Sequence, residues 1–239
     1  MNINKENISL KTEEAVKPVY SITPFTMLDY PEHTACILWF AGCNMKCPYC
    51  YNPEIVYGKG QKSYAEVLEF LQTRKNLLEG VVLSGGEFTL HKGLEAFLYK
   101  VKKLGLKVKA DTNGSNPQIL KRLTQQKLID YIALDFKAPL NHFQEVTRSH
   151  LFPNFETAID YLLSENFPFE VRTTVHTKQL DQQSLQDMLS YLEGKNYQGE
   201  WFLQNFVNNT PTLGNLPNSY KKIKPFDIPS QKIKIIVRN

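Results

Sequence analysis

An α/β fold, a partial (β/α)6 barrel of parallel strands with N-terminal and C-terminal extensions, is predicted by three features of the sequence. Short β-rich apolar runs alternate with helix-like stretches, and the strand-forming unit recurs six times. Polar residues gather at the carboxyl ends of those runs instead of being spread along them. The 239 residues are 42% hydrophobic, enough to bury one substantial core.

Taken in order, residues 1–18 are rich in Asn, Lys and Glu without a sustained apolar period, and are expected to form a flexible arm. The barrel is expected over 19–206. Val19 to Ile22 reads as a short strand, and Thr26-Met27-Leu28-Asp29-Tyr30-Pro31 as the turn after it. The six strand-like runs are Ala35 to Ala41, Val81 to Ser84, Lys107 to Asp111, Tyr131 to Asp135, Phe169 to Thr174 and Trp201 to Asn205. Helix-like segments fall near Tyr64 to Leu77, Gly93 to Leu104, Pro117 to Lys127, Asn154 to Asn166 and Gln182 to Glu193. Within them, Val67, Leu68 and Leu71, or Leu185, Met188, Leu189 and Leu192, recur at the three- and four-residue spacing of one buried helix face. Such alternation implies parallel strands joined by right-handed crossovers. Six units are two short of a closed eight-stranded barrel, so the barrel is expected to be open. Residues 207–239 turn rich in Asn, Pro, Gly and Lys, which suits a lid or a packing segment, with Lys232 to Val237 returning as an edge strand.

Composition excludes several classes of function. The net charge of +4, from 28 Lys and Arg against 24 Asp and Glu, comes without dense basic runs, so nucleic acid is not an expected partner. The longest apolar run near the front, Ala35 to Ala41, is far below the roughly 18 residues that span a bilayer, and no membrane association is expected. A cytoplasmic protein is the expectation, and there a dense cysteine group points to metal or redox chemistry in preference to disulfides.

That group is Cys43, Cys47 and Cys50, three of four cysteines within eight residues, directly after the first apolar run. Gly42, Asn44 and Pro48 permit the tight turning that would let the thiolates converge on one metal centre. Iron in clusters and tetrahedral zinc both accept such ligands, but structural zinc takes four. Cys36 is a poor fourth ligand: on an extended strand it would lie roughly 20 Å from Cys43, and it reads as a small core residue. Three protein ligands with one open position is how a metal is arranged for chemistry on a bound molecule.

Cys-x-x-x-Cys-x-x-Cys at Cys43, Cys47 and Cys50, with Tyr49 before the last cysteine, resembles the signature of the radical SAM enzymes. The resemblance implies a 4Fe-4S cluster on these cysteines and S-adenosylmethionine at the open iron. Gly85-Gly86-Glu87 looks like the family's motif that receives the cofactor's amino group. Glycines allow close backbone approach, and a carboxylate or exposed carbonyl pairs with an ammonium. By the same resemblance Asp111 and Asn113 fall where the ribose or carboxylate is contacted, and Arg172 and Thr174 at a fifth-strand contact. Tyr49 would offer backbone polar groups to the adenine. An ordinary turn or core role is the alternative at each, and Asp135, Lys137 and His176 are possible lining residues only.

A longer match, from about Pro24 to Phe206, links Leu28-Asp29-Tyr30-Pro31, Cys47-Pro48-Tyr49-Cys50 with Asn52-Pro53-Glu54, Ala133 to Pro139, and Arg172-Thr173-Thr174-Val175-His176. In that order they resemble the short activating proteins of anaerobic ribonucleoside-triphosphate reductase, which install a glycyl radical. Tyr51 departs from that pattern, where His is usual, and so does Phe88, where Pro is usual. The family's larger members carry an inserted ferredoxin-like segment whose cysteines this sequence lacks, which implies an external electron donor, flavodoxin or ferredoxin. The implied partner is the large subunit of the reductase. Two other functions share these residues: a radical SAM enzyme acting on a small molecule or another protein, and a non-enzymatic zinc-binding module.

Overall fold

A computed structural model of the protein describes residues 17–224 and 227–238. The expected arm at 1–18 therefore lies outside the described residues except for its last two. By internal contacts the chain forms two units: described residues 17–43, 54–110 and 122–130 in the first, and 44–53, 111–121 and the rest from 131 onward in the second.

In the first unit, β1 (Val19–Thr26) runs antiparallel to β2 (Ala35–Phe40), and β2 pairs in parallel with β3 (Gly80–Gly85). β3 pairs in parallel with the start of β4 (Lys107–Thr112). A short helix α1 (Pro53–Tyr57), then α2 (Tyr64–Arg74), lead from β2 to β3. Helix α2 starts at a capping box: the Ser63 hydroxyl accepts the Glu66 N–H, and the Glu66 carboxylate accepts the Ser63 N–H at 2.7 Å. It buries Val67 and Leu71, while α3 (Leu94–Lys103) buries Leu94, Phe97, Leu98 and Val101. Tyr64 stacks on Phe97 with ring centroids 4.4 Å apart, joining the two helices over the sheet. Cys36 is fully buried in β2 opposite Val81, and burial pushes its thiol up to about 12, as suits a core residue.

In the second unit, β5 (Tyr131–Asp135), β6 (Phe169–Val175), β7 (Glu200–Asn205) and β8 (Lys234–Arg238) pair in parallel, each with its successor in the chain. Neighbours that follow chain order are the winding of a barrel; a doubly wound sheet reverses its order at a switch point. Between β5 and β6 lie α5 (Leu140–Thr147) and α6 (Phe152–Ser164), and between β6 and β7 lies α7 (Gln182–Gly194). Leu185, Met188, Leu189 and Leu192 of α7 are all buried, as their spacing predicts. Phe136 stacks on Phe155 at 4.8 Å, and Phe152 packs against both Phe143 and Tyr191. Helix α4 (Pro117–Gln125) follows β4.

All six predicted parallel strands form, as β2 to β7, and the alternation is that of the predicted partial barrel. β1 is longer than its predicted four residues, and β8 is the predicted terminal edge strand within two residues. Helix α5 was not predicted. Among the described residues no helix is long and apolar enough to cross a membrane.

Candidate radical cofactor site

Cys43 ends the first unit, and its base is held firmly there. Gly42 adopts a positive φ of 80°, donates its N–H to Ile55 O at 2.8 Å and accepts the Glu87 N–H at 2.9 Å. One residue earlier, Ala41 donates to Pro18 O, and Ala41 O accepts the Nε2–H of His91 at 2.8 Å. Burial lowers the His91 pKa, so the ring acts as a neutral donor.

Gly85 and Gly86 explain their identities here. Gly85 sits at φ 107°, outside the range of most side chains. A Cβ on Gly86 would meet Gly42 O at 1.8 Å, so only glycine lets this strand end lie against the base of the cysteine loop. The Glu87 carboxylate caps a local turn. It is buried and accepts the Thr89 hydroxyl at 2.6 Å and the Thr89 N–H at 3.3 Å, capping the 3-10 turn Phe88–Leu90. Phe88, the departure beside it, is wholly buried against Phe40.

The second unit carries the rest of the loop. Cys47 is buried, Cys50 is partly exposed, and the Cys50 N–H donates to Cys47 O at 3.0 Å, closing a turn. Lys46 donates its N–H to Thr147 O. Asn44 is tied to the segment after β4: its Nδ2 donates to Ser115 Oγ at 2.8 Å, and its Oδ1 accepts from Asn113 Nδ2 at 3.0 Å. Asn113 Oδ1 in turn accepts the Ser115 N–H.

Beyond it lies a half-buried charge group. Arg172 on β6 places Nη1 3.2 Å from Asp111 Oδ2, and Nη2 and Nε at 3.0 and 3.1 Å from Asp135 Oδ1. Lys137 Nζ takes the other Asp135 oxygen at 2.9 Å. Burial alone would raise the Asp135 pKa, but Arg172 and Lys137 outweigh it and hold the carboxyl below its usual range. Burial would likewise lower Lys137; the charges of Asp135 and Cys47 outweigh that and keep it protonated. Tyr49 is buried beneath this ammonium, which lies 6.0 Å from its ring centre, and burial first, then Cys47 and Asp135, keep its phenol neutral. The Tyr49 hydroxyl is buried with no hydrogen-bond partner among the described residues, an orphaned polar atom beside the cysteine turn.

Thr174 is half-buried on β6 opposite Gln204. His176 stands apart from this group: wholly buried, it donates Nε2–H to Pro217 O at 2.7 Å and accepts the Lys178 N–H at Nδ1. Nε2 serves the backbone of the C-terminal segment and Nδ1 that of the loop after β6. Among the described residues no three His, Cys, Asp or Glu side chains are gathered as ligands of a single metal ion. Thiolates on separate irons of a cluster need not approach as closely as the roughly 3.8 Å that 2.3 Å bonds impose around one tetrahedral ion. The donor set, three thiols with a cation beside Cys47, suits an anionic cluster.

An α/β protein with a cysteine loop set on the carboxyl end of a parallel strand is the class these units define. The sequence profile of the radical SAM superfamily matches residues 37–191, and the chain belongs to that superfamily. A Methanocaldococcus jannaschii protein that carries the name of a glycyl-radical enzyme activating enzyme is 32% identical over 181 residues, 71% of this chain and 73% of that one. A Haemophilus influenzae protein with the same kind of name is 30% identical over 106 residues, 42% of this chain and 40% of that one. Among solved structures, Streptococcus suis SuiB bound to S-adenosylmethionine superposes with a TM-score of 0.61 at 14% identity, over 85% of this chain and 52% of that one. That likeness is one of fold, and the chain spans about half of the larger protein.

Proposed function

We propose that this protein is a glycyl-radical activating enzyme, acting on anaerobic ribonucleoside-triphosphate reductase with electrons from flavodoxin or ferredoxin. The observation that carries the cofactor part is the Gly86–Gly42 apposition, which couples a glycine-rich strand end to the base of the cysteine loop. The activase part rests on the names of the two relatives and on the sequence resemblance.

Cys43, Cys47 and Cys50 would hold a 4Fe-4S cluster, and the backbone of Gly85 and Gly86 would receive the amino group of S-adenosylmethionine. With both bound, they supply reductive cleavage to methionine and a 5'-deoxyadenosyl radical that removes hydrogen from a glycine of the partner. The chain's own residues bind and orient. Arg172 and Lys137 keep Asp135 ionised, and together with Asp111 these side chains would form a fixed polar wall for the cofactor's ribose or carboxylate. Tyr49 contributes a dry, uncharged floor whose orphaned hydroxyl is available to a bound ligand.

Anaerobic reconstitution with iron and sulfide tests the cofactor part. Four irons per chain and S-adenosylmethionine cleavage under dithionite are expected; one zinc per chain and no cleavage would overturn it. Incubation with the reductase tests the target. A glycyl radical signal by electron paramagnetic resonance is expected, and an active cluster without that signal would leave a radical SAM enzyme of another substrate.

A further inference from the structure

The Cys47–Tyr51 segment is gripped by residues more than 150 positions later. Leu213 donates its N–H to Cys50 O at 2.9 Å and Gly214 donates to Pro48 O at 2.8 Å. The Tyr51 ring stacks on Phe206 at 5.4 Å, and the Val207 N–H donates to the Tyr51 hydroxyl at 2.8 Å. A Cβ on Gly214 would meet Pro48 Cβ at 2.5 Å and Pro48 Cα at 2.8 Å, so the two backbones touch. The far side of this stretch is fixed as well. Asn205 exchanges two hydrogen bonds with the Ile223 backbone, Pro217 O accepts from His176, and the His176 ring meets Phe206 edge-on at 4.5 Å. A mobile lid would not be stitched at both ends in this way.

We propose that residues 206–219 are a fixed brace for the cysteine turn, and that Tyr51 and Gly214 are positioning residues that govern how firmly the chain retains its iron. The proposal rests on the reading of Cys47 and Cys50 as cluster ligands. Their turn spans four residues and is closed by the hydrogen bond from the Cys50 N–H to Cys47 O. The carbonyls of Pro48 and Cys50 point outward from it and need partners. The brace supplies both from main-chain N–H groups, which fixes the orientation of the two thiols whether or not iron is bound. It also covers the outer side of the turn, limiting access of water and chelator. Tyr51, which departs from the usual His, is the one side chain of the loop that binds the brace by both ring and hydroxyl.

The test uses full-length protein reconstituted without oxygen, with the rate of iron loss to a chelator and the cluster midpoint potential as readouts. Tyr51→Phe removes only the hydroxyl and is expected to speed iron loss about fivefold, the size of one hydrogen bond. Tyr51→Ala and Gly214→Val are expected to speed it more than tenfold and to move the midpoint potential upward as the turn meets water. If either fails to fold by circular dichroism, Tyr51→Phe carries the test alone. Loss rates within twofold of the parent and an unmoved potential would overturn the brace while parent loading stays intact. A parent that takes up no cluster would overturn the ligand reading, and the brace with it.

Discussion

Gly86 and Gly42 lie so close that a single added carbon at position 86 would sit 1.8 Å from the Gly42 carbonyl oxygen. Gly86→Ala must therefore push β3's end away from the strand that presents Cys43. A loss of about 2–3 kcal/mol in urea denaturation is expected, together with weaker S-adenosylmethionine binding by the reconstituted protein.

Arg172 is the cation that two carboxylates share, and its planar fork reaches both Asp111 and Asp135. Arg172→Met should cost about 1–3 kcal/mol, because it removes the cation that two partly buried carboxylates share while Lys137 stays paired with Asp135. Replacing Asp111 by Asn in the same chain should recover part of that loss. A double-mutant cycle measured by thermal melting checks it, and additive effects would show that the bridge is not the coupling element.

The four cysteines should separate into three and one. Cys43→Ser, Cys47→Ser and Cys50→Ser are each expected to abolish iron loading and the brown chromophore. Cys36→Ala should load iron like the parent while losing about 1 kcal/mol of stability from a small core cavity. Iron and sulfide analysis after anaerobic reconstitution distinguishes them.

Acid should weaken the capping box of α2. Hydrogen bonds from the Ser63 backbone and hydroxyl lower the Glu66 pKa, so its contribution is present above the unfolded carboxylate's pKa of about 4.3 and is lost as pH falls through the folded value. Between about pH 6 and pH 3 the parent melting temperature should fall more steeply than that of Glu66→Gln. Parallel curves would assign the acid sensitivity elsewhere.

Strand positions and the cysteine loop were legible in the sequence because both are local signals. A short, continuous, β-rich apolar run announces itself within six residues, and three thiols within eight do the same. What was not legible is directional or distant. The bonds of Glu87 to Thr89 and of Asn113 to Asn44 depend on side-chain directions that no spacing reveals. Helix α5 buries Phe143, Val146 and Thr147 over only eight residues, too short for its period to stand out beside the preceding Ala138-Pro139. The antiparallel course of β1, the hold of 206–219 on the loop and the bond from His176 to Pro217, 41 residues on, arise from pairings across many residues.

The hold on Gly42 has a consequence for the protein's life with oxygen. Its φ, its donor to Ile55 and its acceptor from Glu87 are all satisfied by protein atoms alone, so the first cysteine is preorganised by folding and not by iron. Oxidative destruction of a cluster would then empty the loop without dismantling the strand that presents it. If the proposed cluster is held there, such a chassis would be recharged in place under reducing conditions, which iron uptake by apoprotein recovered after oxidation would show.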